Sequence, residues 1–148
     1  MKICIIPCGS KKIYDVNPFI KDVTADKLYV GSFHSLCKRY SKYISDEYCI
    51  LSAKHGFIFP EDIIEENYNV TFNDKKTNPI SIQTLKQQLF KFEKYNSIIC
   101  LCGRRYHDII ESVFDRSIEN RLKGLKGMGY MVQYMTNEIN KLNGIDLF

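Results

Sequence analysis

No apolar run in this chain is long enough to cross a membrane. The longest, Ile3–Ile6 and Ile98–Cys102, fall far short of the roughly 20 residues of a spanning helix. Proline and glycine are scarce, 4 and 8 among 148 residues, which excludes a low-complexity or disordered chain. A secretory leader is not expected either: Lys2 is followed by a brief apolar run and then at once by Pro7, Gly9, Lys11 and Lys12, too short for a signal core. The expected location is therefore cytoplasmic, with no membrane partner. Several chemical signatures are missing as well. There is no Gly-X-X-X-X-Gly-Lys phosphate loop, no Gly-X-Gly-X-X-Gly fingerprint after a strand, no Gly-X-Ser-X-Gly elbow and no paired Cys-X-X-Cys, so neither a cofactor nor a metal is expected.

What is present describes one α/β domain over residues 1–148. Hydrophobic residues make up 45% and charged residues 26% of the chain, and a domain of this size buries roughly 68–70% of its unfolded surface without staples. Six cysteines (Cys4, Cys8, Cys37, Cys49, Cys100 and Cys102) lie mostly in strand-like apolar runs and read as reduced, buried thiols. The formal charge is +4, and the excess sits in the second half: residues 1–74 carry 9 basic and 10 acidic side chains, residues 75–148 carry 12 and 7. Arg104, Arg105, Arg116, Arg121, Lys123 and Lys126 are either a phosphate or nucleic-acid footprint or a solvated helix face.

Period and length arguments give alternating strands and helices. Lys2–Pro7, Tyr48–Ala53 and Ser97–Cys102 are short continuous apolar runs and are predicted as buried strands. Phe33, Leu36, Cys37, Tyr40 and Ile44 form a helical stripe over 31–44; Leu85, Leu89 and Phe92 predict a helix over 79–95. Tyr106, Ile109, Ile110, Val113 and Phe114 predict another, and Met131, Met135, Ile139 and Leu142 a last one. Gly56 and Pro60 are expected to stop regular structure after the second strand. Residues 61–78 read as a long polar loop with a turn of helix at Asp62–Glu65. Strands without alternation, each followed by a helix, predict a mainly parallel sheet covered on both faces, a three-layer sandwich.

In such a sheet ligands bind beyond the carboxyl ends of the strands. The loops at Cys8–Ile13, Lys54–Pro60 and Gly103–His107 are therefore expected to converge. In the first, Gly9, Ser10, Lys11 and Lys12 suit a phosphate or carboxylate, or are a plain exposed turn, and Cys8 is a candidate nucleophile. In the second, His55 titrates near neutral pH and could act as acid or base, beside Lys54 and Gly56. Downstream, a carboxylate among Glu61, Asp62 and Glu65 could polarise water, and Tyr68 could stack on a base, though acidic loop residues usually face solvent. In the third, Gly103 opens a helix on which Arg104 or Arg105 could grip a phosphate, with His107 as an alternative acid or base.

Ile5–Lys12 (IIPCGSKK), Lys27–Phe33 (KLYVGSF), Ile50–Ile64 (ILSAKHGFIFPEDII) and Lys123–Gly129 (KGLKGMG) resemble, in this order, the blocks of an uncharacterised bacterial and phage family. The block containing Ser52, Lys54, His55 and Gly56 also looks like one in the YaaA-like peroxide-stress proteins. More distantly, Pro7–Lys12 is similar to a loop of the uracil-DNA-glycosylase-like domain of archaeosine synthases. The resemblance implies a three-layer α/β fold and an association with nucleic acids or modified nucleobases. It adds Tyr29, Gly31, Pro60, Gly127 and Gly129 to the motif positions, with no catalytic role attached. Three functional expectations follow. The first is an enzyme on a nucleotide or modified base, cleaving or exchanging an N-glycosidic bond. The others are a DNA- or RNA-binding protein without turnover and a nucleotide-sensing module.

Overall fold

The computed structural model describes residues 1–144. Five strands form the main sheet: β1 (Lys2–Pro7), β3 (Glu47–Ser52), β4 (Gly56–Ile58), β6 (Ser97–Cys100) and β7 (Glu119–Asn120), in the order β4-β3-β1-β6-β7. β1 pairs parallel with β3 (Ile6 opposite Ile50) and with β6 (Cys4 opposite Ile99), and β7 runs parallel to β6. Among the described strands of this sheet, β4 alone is antiparallel. A small second ladder pairs β2 (Val23–Thr24) with β5 (Ile63–Ile64).

The absence of polar alternation in the strands has a direct cause: both sheet faces are covered. Cys4, Ile6, Ile50 and Ile99 point to one side, where Cys37 and Tyr40 of α3 (Ser32–Ile44) and Met135 and Ile139 of α6 (Met128–Leu142) pack on them. The short helices α1 (Ile13–Val16) and α2 (Ala25–Leu28) close that layer. Ile3, Ile5, Cys49 and Ile98 point to the other side, against Leu85 of α4 (Ile82–Lys86), Phe92, and Ile110 and Val113 of α5 (Arg104–Val113). The architecture is a three-layer α/β sandwich with a mainly parallel central sheet. No helix among the described residues is long and apolar enough to cross a membrane.

Three local expectations are corrected. The stretch after Gly56 forms β4, because Gly56 at φ +79° lets Ala53–His55 turn the chain back onto β3. Asp62–Glu65 holds no helical turn; Ile63 and Ile64 pair with Thr24 and Val23. The single helix expected over 79–95 is α4 followed by a separate 3-10 turn at Leu89–Phe92. Leu85 and Phe92 still reach the core across the break, so the apolar spacing was a true signal of burial and a poor one of continuity.

Candidate functional site

β1 is the first strand, and its two neighbours lie on opposite sides of it. The chain leaves β1 toward α3 on one face of the sheet and leaves β6 toward α5 on the other. The two loops part, and a crevice opens at the carboxyl ends of β1 and β6, the place where such sheets receive ligands. The crevice is a cleft of about 350 Å³ whose walls include Cys8, Phe33, Arg104, Tyr106 and Met131.

All three long helices begin there. Phe33 lies in the first turn of α3, Gly103–Tyr106 form the start of α5, and Met128 opens α6. Each helix has a glycine at its N-cap (Gly31, Gly103 and Gly127), so the cap offers no side-chain acceptor to the first-turn N–H groups, and none carries an acidic residue in its first turn. Helix starts ordinarily have such acceptors and carboxylates. Their omission at three converging ends leaves partial positive charge focused on one cleft. Arg104 lines the cleft, and Arg105 donates to Phe72 O at 3.2 Å, which ties the irregular segment around residue 72 to its rim.

At the floor of this region Cys8 Sγ lies 3.0 Å from Tyr106 Oη. Burial raises the thiol above its ordinary value, while Tyr106, the Ala53 backbone and the charge of Lys12 pull it down. Lys12 is itself buried. Its ammonium donates to Ser10 O at 3.2 Å and rests 4.3 Å from the Tyr68 ring centroid. Among the described residues no carboxylate lies within ion-pair distance of it, and burial lowers its pKa. An ammonium has three donors, so Lys12 retains capacity for an anion. Behind it the Tyr68 hydroxyl bonds with Tyr29 Oη and with Ser52 Oγ at 2.8 Å, and burial pushes Tyr68 up to about 12. Ser52 also accepts from the Lys54 and His55 backbone at 3.2 and 3.1 Å.

Continuing the β1–β3 register (Pro7 opposite Leu51) sets Cys8 beside Ser52, about 4.8 Å across one strand spacing. The first and second sequence loops therefore do meet, through Lys12, Ser52 and Tyr68. His55 packs edge-on against Tyr68, with centroids 5.2 Å apart, and burial followed by the Lys54 charge lowers its pKa. It lines a separate groove of about 320 Å³ with Lys54, Asp62, Glu65 and Glu66. The Asp62 carboxylate is engaged there by Phe59 N at 2.7 Å.

Other expected residues lie elsewhere. Glu61 follows β4 back down the sheet and lines a cleft with Glu47, Tyr48 and Tyr95 at the amino ends of the strands, away from Cys8. Ser10 and Lys11 are exposed; Lys11 contributes its carbonyl to Val30 N. Gly9 is not needed for space, since a Cβ there would meet His34 and Tyr29 at 3.7 and 3.9 Å, an ordinary contact. Gly56 is occupied in the β4 turn. Of the basic second half, Arg104, Lys123 and Lys126 line a larger cleft of about 610 Å³ that adjoins the first through Arg104 and Met131. Arg121 pairs with Glu119, and Arg116 lies beyond the far end of α5. The sequence reading placed Tyr106 and Met131 only on apolar stripes and left Lys12 as one of two interchangeable lysines. A stripe residue at the first turn of a helix after a strand was the available signal for Tyr106.

The family model of DUF6884, a family of unknown function, matches residues 3–137. The chain is 37% identical over 144 residues to the uncharacterized protein YfjM of Bacillus subtilis (strain 168), covering 95% of this chain and 96% of that protein. No solved structure matches it. The β1 loop, the His55 turn, the α5 start and the glycine-rich entry to α6 all fall inside the matched span, and the chain belongs to the DUF6884 family.

Proposed function

We propose that the protein is an enzyme that binds a nucleotide, or a nucleotide-like base derivative, by its phosphate at the β1/β6 cleft. The observation that carries this reading is the convergence of three glycine-capped, acid-free helix starts with Arg104 on one cleft, with the unpaired ammonium of Lys12 behind Cys8. Backbone N–H groups at helix starts are built for phosphate oxygens, and the cleft volume lies in the range of small-ligand sites. The likeness of Pro7–Lys12 and Ser52–Gly56 to nucleobase-associated families supports the choice of ligand class.

The reaction is cleavage or exchange of an N-glycosidic bond. Among the described residues no carboxylate lines the phosphate cleft, so a stabiliser of the oxocarbenium-like centre has to come from the neighbouring groove. There His55 stands as acid or base and Asp62 or Glu65 as the carboxylate. The groove and the phosphate cleft share no lining residue, and Ser52 and Tyr68, through which the two loops meet, are buried, so a ligand anchored at Arg104 reaches His55 only if Tyr68 moves aside. A second reading, binding of DNA or RNA without turnover, draws on the adjoining cleft with Lys123 and Lys126.

Thermal-shift and calorimetric titrations with nucleoside monophosphates, the parent nucleosides and a short oligonucleotide separate these readings. Monophosphates are expected to stabilise the protein and nucleosides not to. Arg104→Ala is expected to weaken the monophosphate about tenfold or more, since a charge-assisted hydrogen bond contributes about 1.5–3 kcal/mol. Chromatography for released base, on wild type and His55→Ala, then tests turnover. Equal stabilisation by nucleosides and monophosphates sinks the phosphate cleft. Binding of the oligonucleotide alone, with no base released, transfers the function to the second reading.

A further inference from the structure

Cys100 and Cys102 sit two residues apart at the end of β6, with both side chains in the core layer on the α5 face. α5 folds back over them. Its second turn brings His107 Nδ1 to 3.6 Å from Cys100 Sγ, and one turn further on Glu111 Oε1 lies 3.3 Å from His107 Nε2. A thiol, an imidazole and a carboxylate are thus arranged in series, each facing the group that orients it. Cys102 and His107 both line the cleft of about 610 Å³ beside Arg104, so the cluster opens on that side, with Cys100 fully buried directly behind them. The other buried thiols differ. Cys4 and Cys49 have no imidazole beside them, and the hydrogen-bond partner of Cys37 Sγ is the Leu101 carbonyl, at 3.8 Å.

From this geometry we infer that Cys100 and Cys102 are an oxidation site, a dithiol that His107 and Glu111 prime for reaction with a small hydroperoxide entering through the cleft. The Cys100 proton passes to His107 Nδ1, and the imidazolium is held between the thiolate and the Glu111 carboxylate. The thiolate sulfur attacks one peroxide oxygen, so that an S–O bond forms and the O–O bond breaks. The departing hydroxide takes the proton from His107 and leaves as water. The sulfur of Cys102 then attacks the Cys100 sulfenic acid; the S–S bond forms, the S–O bond breaks, and the hydroxide takes the Cys102 proton. Two thiols lose two electrons, and the hydroperoxide takes them up, hydrogen peroxide giving two waters.

Reach and charge agree with this. Two residues of extended chain place the Cα atoms about 6.6 Å apart, at the upper end of the span a disulfide bridges, and Cys102 lies beyond the last residue of β6, where the backbone is free of the strand to close the remaining distance. The hydrogen bond from Cys102, and after it His107, holds the Cys100 thiol below its ordinary value against the opposing effect of burial, and Cys102 is correspondingly raised. The cluster therefore assigns separate parts, Cys100 as the attacking thiolate and Cys102 as the resolving thiol. His107 is a positioning and proton-holding residue.

The test is timed exposure of the reduced protein to hydrogen peroxide at pH 7, quenched with N-ethylmaleimide and mapped by mass spectrometry. Both cysteines fall on one tryptic peptide, Tyr95–Arg104, so the disulfide appears as a peptide lighter by about two mass units that takes up no maleimide. This peptide is expected to oxidise about tenfold or more faster than those carrying Cys37 and Cys49 alone, as a thiolate outpaces a thiol; the peptide with Cys4 also holds Cys8 and is not used as a reference. Cys102→Ser is expected to stop at a sulfenic acid that dimedone traps on Cys100. His107→Asn, a change on a half-buried helix surface that leaves the core intact, is expected to slow oxidation about tenfold at pH 7 and to recover as pH rises through the thiol range. A merely structural His107 would show no such recovery. Oxidation of Tyr95–Arg104 no faster than the other peptides, or an unchanged rate in His107→Asn, overturns the inference.

Discussion

His34 shows how much one buried side chain constrains. Its Nδ1 lies 2.8 Å from the Pro7 carbonyl, which can only accept, so Nδ1 carries the proton and Nε2 is a lone pair with no partner among the described residues. Protonating Nε2 would bury an unpaired N–H together with a charge, and burial accordingly lowers the imidazole to about 4. The direction for stability follows by linkage. Between the unfolded value near 6.5 and the folded value the unfolded chain binds more protons, so stability is complete above about pH 6.5 and falls as pH drops toward 4. The size is about 3 kcal/mol at full effect. Urea unfolding of wild type and His34→Gln across pH 7 to 4 is expected to show the steeper loss in wild type. Equal slopes would mean that His34 is not held neutral by the fold.

At the scale of elements, glycine and glutamine decide what periodicity cannot. Gly56 was legible as a breaker, but its left-handed φ starts an antiparallel strand, because Gln88 reaches over from the end of α4 to take Phe57 N at 2.8 Å and to donate to His55 O at 3.0 Å. No local pattern reports a bond spanning 31 residues. The same Gln88 sits where the stripe of Leu85, Leu89 and Phe92 changes from α to 3-10 geometry, which explains why the expected helix over 79–95 is broken. Gly56→Ala puts a Cβ 2.3 Å from Gln88 Oε1 and strains the backbone. The left-handed conformation costs about 1–2 kcal/mol, and displacing Gln88 leaves a buried N–H unpaired for about 1–3 kcal/mol more. Chemical denaturation is expected to find a loss of about 2–5 kcal/mol; a loss of only about 1–2 kcal/mol would show that Phe57 N finds an equivalent partner elsewhere.

For the whole molecule, the parallel sheet was readable because unalternating strands such as Ile3–Ile6 can be stable only when both faces are covered, and parallel strands in turn bring Cys8, Ser52 and Gly103 to one edge. What stayed hidden depends on pairings distant in sequence: the start of α6 closing the Cys8 cleft, Tyr68 crossing from its loop to Tyr29, and β4 carrying Glu61 to the opposite end. The two core layers pack on opposite faces of one main sheet, so they are expected to unfold together. Ile6 faces α3 and α6, and Ile5, its chain neighbour, faces the α4–α5 layer; both are buried. Ile5→Ala and Ile6→Ala should each cost about 2–5 kcal/mol as cavities in close-packed layers. A chain of 148 residues built on one main sheet is near the upper range of two-state behaviour. In each variant, circular dichroism and tyrosine fluorescence should therefore give coincident urea transitions with an unchanged slope. A first transition in Ile5→Ala that leaves the tyrosine-rich α3 layer intact would instead mean that α4 and α5 peel from the sheet as a separate cooperative unit, and that the Arg104 side of the cleft can open while the Cys8 side stays folded.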